Sequence, residues 1–415
     1  MTDISVGMLG CGTVGTGVLT LLKRGAKQIA ESLNVHFKVK KIAVKHPDKK
    51  RDTELTENMQ FTGQIENVIN DPSIQIIIEV MGTLNEAYDA IYQAISNGKS
   101  VITANKELIA LKGPQLTRLA HEKHVDLYYE ASVGGGIPIL RVLSDSLITD
   151  QITGLTGIVN GTSNYVLSAM KNDHNSYEES LKQAQELGYA ETNPVNDIEG
   201  FDAAYKLAIL SQLAFGQTIN LKQLNRKGIG QITTEDIKGA SRLGLTIKPI
   251  VIAREKHHEL YTLVGPVAVS RQYPLATVNG VENSILVTST ALGTTSYTGP
   301  GAGSEPTVNS VMSDLLTVTH HLLLDESGTS FNIPVNHIKE HSLLDLPLKY
   351  FVAINETTVD KLESFINHSE YIENVVRINH SYFLITSSLV KGKKAELVAF
   401  FNKETKGSRF YPLLK

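Results

Sequence analysis

The sequence predicts an α/β protein in three parts. These are an N-terminal Rossmann dinucleotide-binding domain over residues 1–136, an α+β domain over 137–305, and a small βαββαβ module over 347–415. Three observations carry this reading. A short apolar strand runs straight into GCGTVG at Gly10–Gly15 and on into an apolar helical stretch. Strand-like and helix-like runs then alternate, the pattern that builds a parallel sheet. From Lys349 the tail alternates as strand, helix, two strands, helix and strand.

Composition narrows the class. A chain of 415 residues has length for two or three domains and a large core. Hydrophobic content of 41%, charged content of 20% and a net charge of -4 are those of an ordinary soluble globular protein, with no basic face to suit nucleic acid. The single cysteine, Cys11, excludes a disulfide framework and cysteine-rich metal sites, and fits a reducing cytoplasm. Met1–Asp3 lead directly into a strand-like run, so no signal peptide is expected. No apolar run approaches the roughly 18 residues that cross a membrane.

The elements follow in order. The first strand spans Ile4–Gly10, and the helix after the glycine turn spans Val18–Leu33. A dinucleotide needs Gly10 for the tight turn, Gly12 for close approach of the backbone to pyrophosphate, and Gly15 for helix–strand packing. Thr13 and Val14 complete the turn. The second strand, Phe37–Val44, ends where an acidic residue would bind the 2′-hydroxyl of NAD. The chain offers Lys45, His46, Lys49, Lys50 and Arg51 there, which favours NADP over NAD, the other reading being a solvated basic loop.

Strands at Ile74–Met81, Ser100–Thr103 and Val125–Glu130 alternate with helices at Glu86–Ser96 and Pro114–His124. The fourth strand runs into TANK, Thr103–Lys106, and so puts Lys106 at the carboxyl edge of the sheet, where ligands of open α/β sheets bind. A solvated strand-capping lysine is the alternative. EASVGGGIP then packs Gly134–Gly136 before a helix from Pro138. Exposed carbonyls beside Glu130 can hold a hard cation, or the glycines can form a domain-crossing turn.

The second domain starts with a strand at Ile152–Val159. It continues with helices at Ser163–Lys171, Tyr177–Leu187 and Phe201–Phe215, and strands at Thr246–Ala253, Leu260–Val269 and Ser284–Thr290. NGTSN, Asn160–Asn164, opens the first of these helices with short hydrogen-bonding side chains. The loop Gly188–Asp202 carries Glu191, Asp197 and Glu199, and loops on rigid elements carry function disproportionately. Gly299–Gly303, GPGAG, permits close backbone approach to a flat ligand, and the helix after it, about 306–324, returns to the first domain.

The helix Phe201–Phe215 is apolar almost all round, so it is expected to be buried. Its charged side chains are Asp202 and Lys206. Four residues apart, they lie about 40° apart around the helix and can touch. On a surface such a pair contributes roughly 0.2–0.5 kcal/mol. On a buried element two ionisable groups cost several kcal/mol unless paired or used. Periodicity leaves salt bridge and functional site level.

Taken together, GCGTVG, TANK, EASVGGGIP, NGTSN, GYAETNP leading into NDIEGFDAAYK, and GPGAG resemble the homoserine dehydrogenase family, in order and over most of the chain. The resemblance implies NAD(P)-dependent reduction of L-aspartate 4-semialdehyde to L-homoserine, on the shared route to threonine, methionine and isoleucine. It implies Lys106 and Lys206 as proton-transfer groups with Asp202 beside them. Glu191, Asp197, Asp202, Lys106 and Gly188 would take substrate. Asn105, Lys106 and Gly303 would join the glycine turn and Lys45 on the cofactor. A monovalent cation, Na+, would be held by Glu130 and the carbonyls of Val133, Gly135 and Ile137. The family's dimer is built by the second domain, and the tail, which resembles an ACT-type regulatory module, would build any tetramer. Its first strand-to-helix turn lacks the Asp-x-Pro followed by Gly with which such modules bind an amino acid.

In the reductive direction a lysine of ordinary pKa, about 10.4, is charged and ready to protonate an alkoxide. The reverse reaction needs it neutral, which at pH 7 costs about 4.6 kcal/mol, so oxidation is expected to prefer alkaline pH. The rivals are a related amino-acid or aldehyde dehydrogenase, such as an aspartate dehydrogenase, and a non-catalytic nucleotide and amino-acid sensor. Covalent thiohemiacetal chemistry is excluded, because the one cysteine sits in the nucleotide turn.

Overall fold

The computed structural model describes residues 1–49, 59–331, 338–354, 359–405 and 407–415, which fall into two compact units. Lys50 and Arg51 lie outside the described residues, as does the turn at 355–358 that an ACT-type ligand would use.

The first unit comprises Met1–Gln151, Ala208–Thr218 and Gly299–His337. Its elements begin with β1 (Thr2–Leu9), α1 (Thr13–Leu33), β2 (Val35–Ala43), β3 (Gln60–Thr62), α2 (Glu66–Ile69) and β4 (Ile76–Glu79). They continue with α3 (Asn85–Ser96), β5 (Ser100–Thr103), α4 (Lys106–Glu122), β6 (Leu127–Tyr128) and α5 (Ile139–Arg141). The six strands form one parallel sheet in the order β3-β2-β1-β4-β5-β6. Its switch point lies between β1 and β4, where open sheets of this kind bind ligands. Ile4, Val6 and Met8 of β1 and Ile76, Ile77 and Ile78 of β4 are buried, because helices cover both faces of a parallel sheet.

Several boundaries differ from expectation, among them the start of α1, at Thr13 and not Val18. The fourth helix starts at Lys106, not at Pro114, since Asn105 caps it by accepting the Leu108 N–H at 3.2 Å. Pro114 sits inside that helix. The last strand is only two residues long, and Glu130 begins a 3₁₀ turn instead of ending a strand. The helix expected at about 306–324 is α11 (Ser304–Leu324), which packs on α1: a Cβ on Gly17 would lie 2.5 Å from Val308 Cγ2.

The second unit comprises Ile152–Leu207, Ile219–Thr298 and Ile338–Lys415. It holds β7 (Ile152–Ile158), α6 (Gly161–Asn172), α7 (Tyr177–Glu186), α8 (Val195–Ile198) and the start of α9 (Phe201–Phe215). Then come α10 (Thr234–Arg242), β8 (Leu245–Lys256), β9 (Glu259–Ser270), β10 (Glu282–Ser289) and β11 (Gly293–Pro300). The remainder is β12 (Lys339–Ser342), β13 (Tyr350–Ile354), α12 (Val359–His368), β14 (Ile372–Ile378), β15 (Ser381–Thr386), α13 (Lys391–Glu404) and β16 (Ser408–Leu414). The expected βαββαβ order of the tail is present.

The tail is nevertheless not an independent module. Its strands continue the second sheet, in the order β11-β10-β7-β8-β9-β16-β13-β15-β14, with β12 beside β9. The junction is brief: β16 meets β9 in parallel through Leu413–Ala268 and Leu414–Val269. What binds the tail is packing. Phe351, Phe383, Tyr411 and Leu413 share one apolar core with Val166, Ile237, Ile247 and Ala268, and a Cβ on Gly239 of α10 would lie 2.1 Å from Phe383. Asp236, also on α10 and fully buried, accepts hydrogen bonds from Arg409 Nε and Nη2, each at 2.7 Å, and from the Tyr411 hydroxyl at 2.8 Å. A second core of the tail lies on its other face, around Val352, Leu362, Leu384 and Phe401.

Candidate active site

In the first unit, Gly10 has φ +99°, and a Cβ there would meet the Val80 carbonyl at 2.7 Å, so only glycine fits this turn. Gly15 is constrained by packing, since its Cβ would lie 2.7 Å from the Gly10 carbonyl oxygen. Gly12 differs: a Cβ there would meet no atom of the described residues within 4 Å, so nothing among them explains its smallness. It is the N-cap of α1, which has no side-chain cap and no acidic residue in its first turn. Uncapped amides at a helix N-terminus favour an anion, and the open space over Gly12 is where a pyrophosphate needs the backbone bare. The residues fit a dinucleotide.

Gly303, at φ +111°, caps α11 in the same way, again without a side-chain cap. Gly17 of α1 brings the two helix starts together: its Cβ would lie 3.5 Å from Ser304 Oγ. Lys45, His46 and Lys49 line the same cleft as Gly10, Cys11 and Gly12, so the basic run that follows β2 borders the glycine turn.

Beyond β5 a buried network fixes the turn that carries Lys106. Thr103 donates its hydroxyl to Glu79 Oε2 at 2.5 Å and accepts the Asn105 N–H at 3.0 Å. Asn105 donates to the Thr83 carbonyl at 2.6 Å while its oxygen caps α4. The Asn105 side chain thus holds two loops together, and Lys106, half-buried, is the first residue of α4. Burial raises the Glu79 carboxyl above its ordinary range.

The glycine run at Gly134–Gly136 has a clear partner. A Cβ on Gly135, at φ +58°, would lie 2.6 Å from the carbonyl carbon of Gly301, and the Gly136 N–H donates to the Pro300 carbonyl at 3.1 Å. Pro300 and Gly301 of the GPGAG turn therefore approach another backbone. Glu130 is engaged as well: its two oxygens accept the N–H groups of Leu140 and Arg141, both at 2.9 Å, and burial pushes its carboxyl up to about 7. The Gly135 carbonyl accepts the Ser310 hydroxyl at 2.6 Å. Among the described residues no group of three or more His, Cys, Asp or Glu side chains is placed to hold a metal ion. A cation here would rest on carbonyls and on Glu130 alone.

The expected burial of α9, whose start belongs to the second unit, is observed. Asp202 is 3% exposed and Lys206 7%, on a helix where Ala203, Leu207, Leu210 and Leu213 are also buried. Lys206 Nζ donates to Asp202 Oδ2 at 2.8 Å and to the Val159 carbonyl at 2.7 Å. Asn160 Nδ2 donates to the same Asp202 oxygen at 2.8 Å and to Asp197 Oδ1 at 2.7 Å. Asn160 is the N-cap of α6, its oxygen accepting the Ser163 N–H at 2.8 Å, while Ser163 Oγ donates to the Asp197 carbonyl at 2.9 Å.

Asp197, Asp202 and Lys206 are thus brought together. Glu191 and Gly188 are not part of that cluster's hydrogen bonds. Glu191 is exposed, and the Gln185 amide holds its carbonyl at 3.1 Å. Gly188, at φ +75°, lies in the turn after α7. That loop is tied to α6 by the Thr162 hydroxyl, which donates to the Tyr189 carbonyl at 2.5 Å, and by Tyr165 against Tyr189. Lys106 belongs to the other unit. Sequence reasoning noticed NGTSN but gave Asn160 no role. The signal was present: a run of short polar side chains at a strand-to-helix turn.

Comparisons with known proteins agree with this geometry. Residues 10–130 match the family model for the homoserine dehydrogenase NAD-binding domain, and residues 138–316 the model for homoserine dehydrogenase. A homoserine dehydrogenase of Bacillus subtilis is 40% identical over 365 residues, covering 88% of this chain and 84% of its own. One from Lactococcus lactis is 37% identical, covering 85% and 82%. The crystal structure of a homoserine dehydrogenase from Thiobacillus denitrificans superposes with a TM-score of 0.93 at 34% identity, covering 100% of this chain and 99% of that one.

Proposed function

The chain belongs to the homoserine dehydrogenase family and carries its activity, the nicotinamide-dependent interconversion of L-aspartate 4-semialdehyde and L-homoserine; we propose that Lys206 is its proton donor. The observation that supports this is the hydrogen-bonded pair of Asp202 and Lys206 on a helix otherwise apolar and buried. A bound reduced nicotinamide supplies the hydride. The aldehyde oxygen, taking up negative charge as its carbon receives that hydride, needs a positive group and a proton. Two of the three Lys206 Nζ protons are held by Asp202 and Val159, which aims the third. Asp202 compensates the buried ammonium, and Asp197 and Glu191 offer carboxylates to the substrate's own ammonium group. Lys106, at the carboxyl edge of the first sheet, binds the substrate carboxylate and is the alternative donor.

NADP(H) is the proposed preference, with NAD(H) as the second substrate, because Lys45, His46 and Lys49 border the glycine turn and suit a 2′-phosphate. We assign Gly10, Gly12, Thr13, Val14, Gly15 and Gly303 to the cofactor, with Asn105 positioning its turn. A monovalent cation at Glu130 and the carbonyls of Val133, Gly135 and Ile137 is a further proposal. Its test is a melting-temperature rise on adding Na+ that Glu130→Gln abolishes. A homodimer through the second unit, with the tail available for a tetramer or an effector, is checked by light scattering and by melts with threonine or methionine. The cytoplasm is the proposed location. No helix among the described residues is long and apolar enough to cross a membrane.

The deciding experiment follows loss of reduced nicotinamide absorbance with L-aspartate 4-semialdehyde, NADPH and NADH being run in parallel. Oxidation of NADPH that requires the semialdehyde is expected. A protein that turned over oxaloacetate and ammonia but not the semialdehyde would instead be an aspartate dehydrogenase.

A further inference from the structure

The turn from β7 into α6 touches both members of the proposed proton-transfer pair. Val159 presents its carbonyl to Lys206 Nζ at 2.7 Å, and Asn160, the next residue, presents its amide to Asp202 Oδ2 at 2.8 Å. That one oxygen of Asp202 is shared between Asn160 and Lys206. The second amide hydrogen of Asn160 goes to Asp197 Oδ1 at 2.7 Å.

The orientation of the Asn160 amide follows from its surroundings. A backbone N–H can only donate, so the Ser163 N–H at 2.8 Å must face the amide oxygen, which turns the nitrogen and its two hydrogens onto the carboxylates. Asn160 is 5% exposed, so water cannot readily replace either bond. The arrangement addresses a specific difficulty. Two carboxylates approach one nitrogen within 2.8 Å, and the Lys206 ammonium is hydrogen-bonded to one of them. Like charges so close repel unless something with positive partial charge stands between them, and a primary amide does so without adding charge.

We propose that Asn160 is a positioning residue for proton transfer, dividing its amide between Asp197 and Asp202 so that Asp202 offers Lys206 one fixed oxygen. The inference rests on the reading of Lys206 and Asp202 given above. Asn160 touches no reacting atom. It acts through Asp202 on the direction of the Lys206 N–H, and through Asp197 on the carboxylate assigned to the substrate. Misplacing a reacting group by about 1 Å is enough to lose on the order of a hundredfold in rate.

Asn160 also caps α6, so a purely structural role must be separated from a positioning one. Asn160→Ser and Asn160→Thr do this, since both hydroxyls cap a helix N-terminus about as well but neither supplies two N–H donors. The expected result is a melting temperature near that of the parent, kcat for semialdehyde reduction lower by about tenfold to a hundredfold, and a raised KM for the semialdehyde with KM for NADPH unchanged. Placed on Asp202→Asn, Asn160→Ser should cost less than about twofold more in kcat, because the route through Asp202 is already lost.

Serine and threonine variants with parental kcat, or losses that multiply in full in the double variant, overturn the proposal. So does failure of both single variants to fold, which would make the residue structural. If Asp202→Asn and Lys206→Ala both kept full turnover, the site reading itself would fall and this inference with it. An impaired Asp202→Asn beside an unimpaired Asn160→Ser overturns only the inference.

Discussion

Lys206 and Lys248 are two lysines of the same unit, 7% and 2% exposed, yet their surroundings differ in one respect. Lys206 Nζ meets a carboxylate, Asp202, as well as a carbonyl. Among the described residues Lys248 Nζ meets only neutral oxygens, Asn279 Oδ1 at 2.9 Å and the Val278 carbonyl. Burial, with a smaller push from the Lys171 charge, brings Lys248 down to about 7. The contrast teaches that burial alone does not mark a catalytic lysine. An ammonium that must carry charge and a proton in a dry site needs a carboxylate within hydrogen-bond reach. One held by carbonyl and amide oxygens sits instead at the edge of neutrality, and its business is to hold the loop at Val278 and Asn279.

Breaking each site in turn tests that contrast. The largest effect is expected from Lys206→Ala, which should lower kcat by at least about a hundredfold, the usual range for losing a general acid. Binding of NADPH, followed by its fluorescence, should persist, and a variant retaining most of its turnover would move the donor's role to Lys106. Asp202→Asn should lower kcat by roughly tenfold or more with the fold intact by circular dichroism. An unfolded Asp202→Asn would instead make the pair structural.

Lys248→Met should leave kcat within about threefold and change only the response of stability to pH. The sign follows from the depressed value. Between about pH 7 and about pH 10 the unfolded chain holds a proton on this lysine that the folded chain does not, so stability rises with pH across that window. Below about pH 7 both states carry the charge and the burial penalty is present in full. Melting temperatures of Lys248→Met should lack that rise. The smallest change, Asn279→Asp, gives Lys248 the kind of partner Lys206 has, and should flatten the same rise while leaving the lysine in place. A rise that survives in both variants would assign it to another group.

Much of this was legible from side-chain pattern. The spans of α9 and β5, Phe201–Phe215 and Ser100–Thr103, agree with the sequence reading, because each is a strong apolar run with clear ends. The Asp202–Lys206 pair could be read because two charges on an apolar helix are conspicuous. Where reading failed, local chemistry misled or the partner was distant. Pro114 suggested a helix start, yet Asn105 had already capped the helix that contains it. β11, GTTSYTGP, is rich in glycine and threonine and mostly exposed, so it carries no apolar signal. α10 went unseen although Thr233 and Asp236 form a capping box. The glycines of GPGAG asked for close approach, and no periodicity says that the approaching group is Gly135, far away in sequence. Asn160 is the same problem at the proposed site. Its partners lie 37 and 42 residues on, and nothing in NGTSN names them.

The buried bond between Asp236 and Arg409 sets an order of events during synthesis. The two residues stand 173 apart in sequence, so α10 leaves the ribosome long before its counter-charge has been made. Until translation has passed Tyr411, Asp236 has neither guanidinium nor hydroxyl, and β9 lacks the neighbour that extends its sheet. The first unit draws much of its sheet from the opening stretch of the chain and can begin to order as it emerges. The second is built on long-range closure, which is slow, and it waits with a carboxylate and a row of apolar strands uncovered.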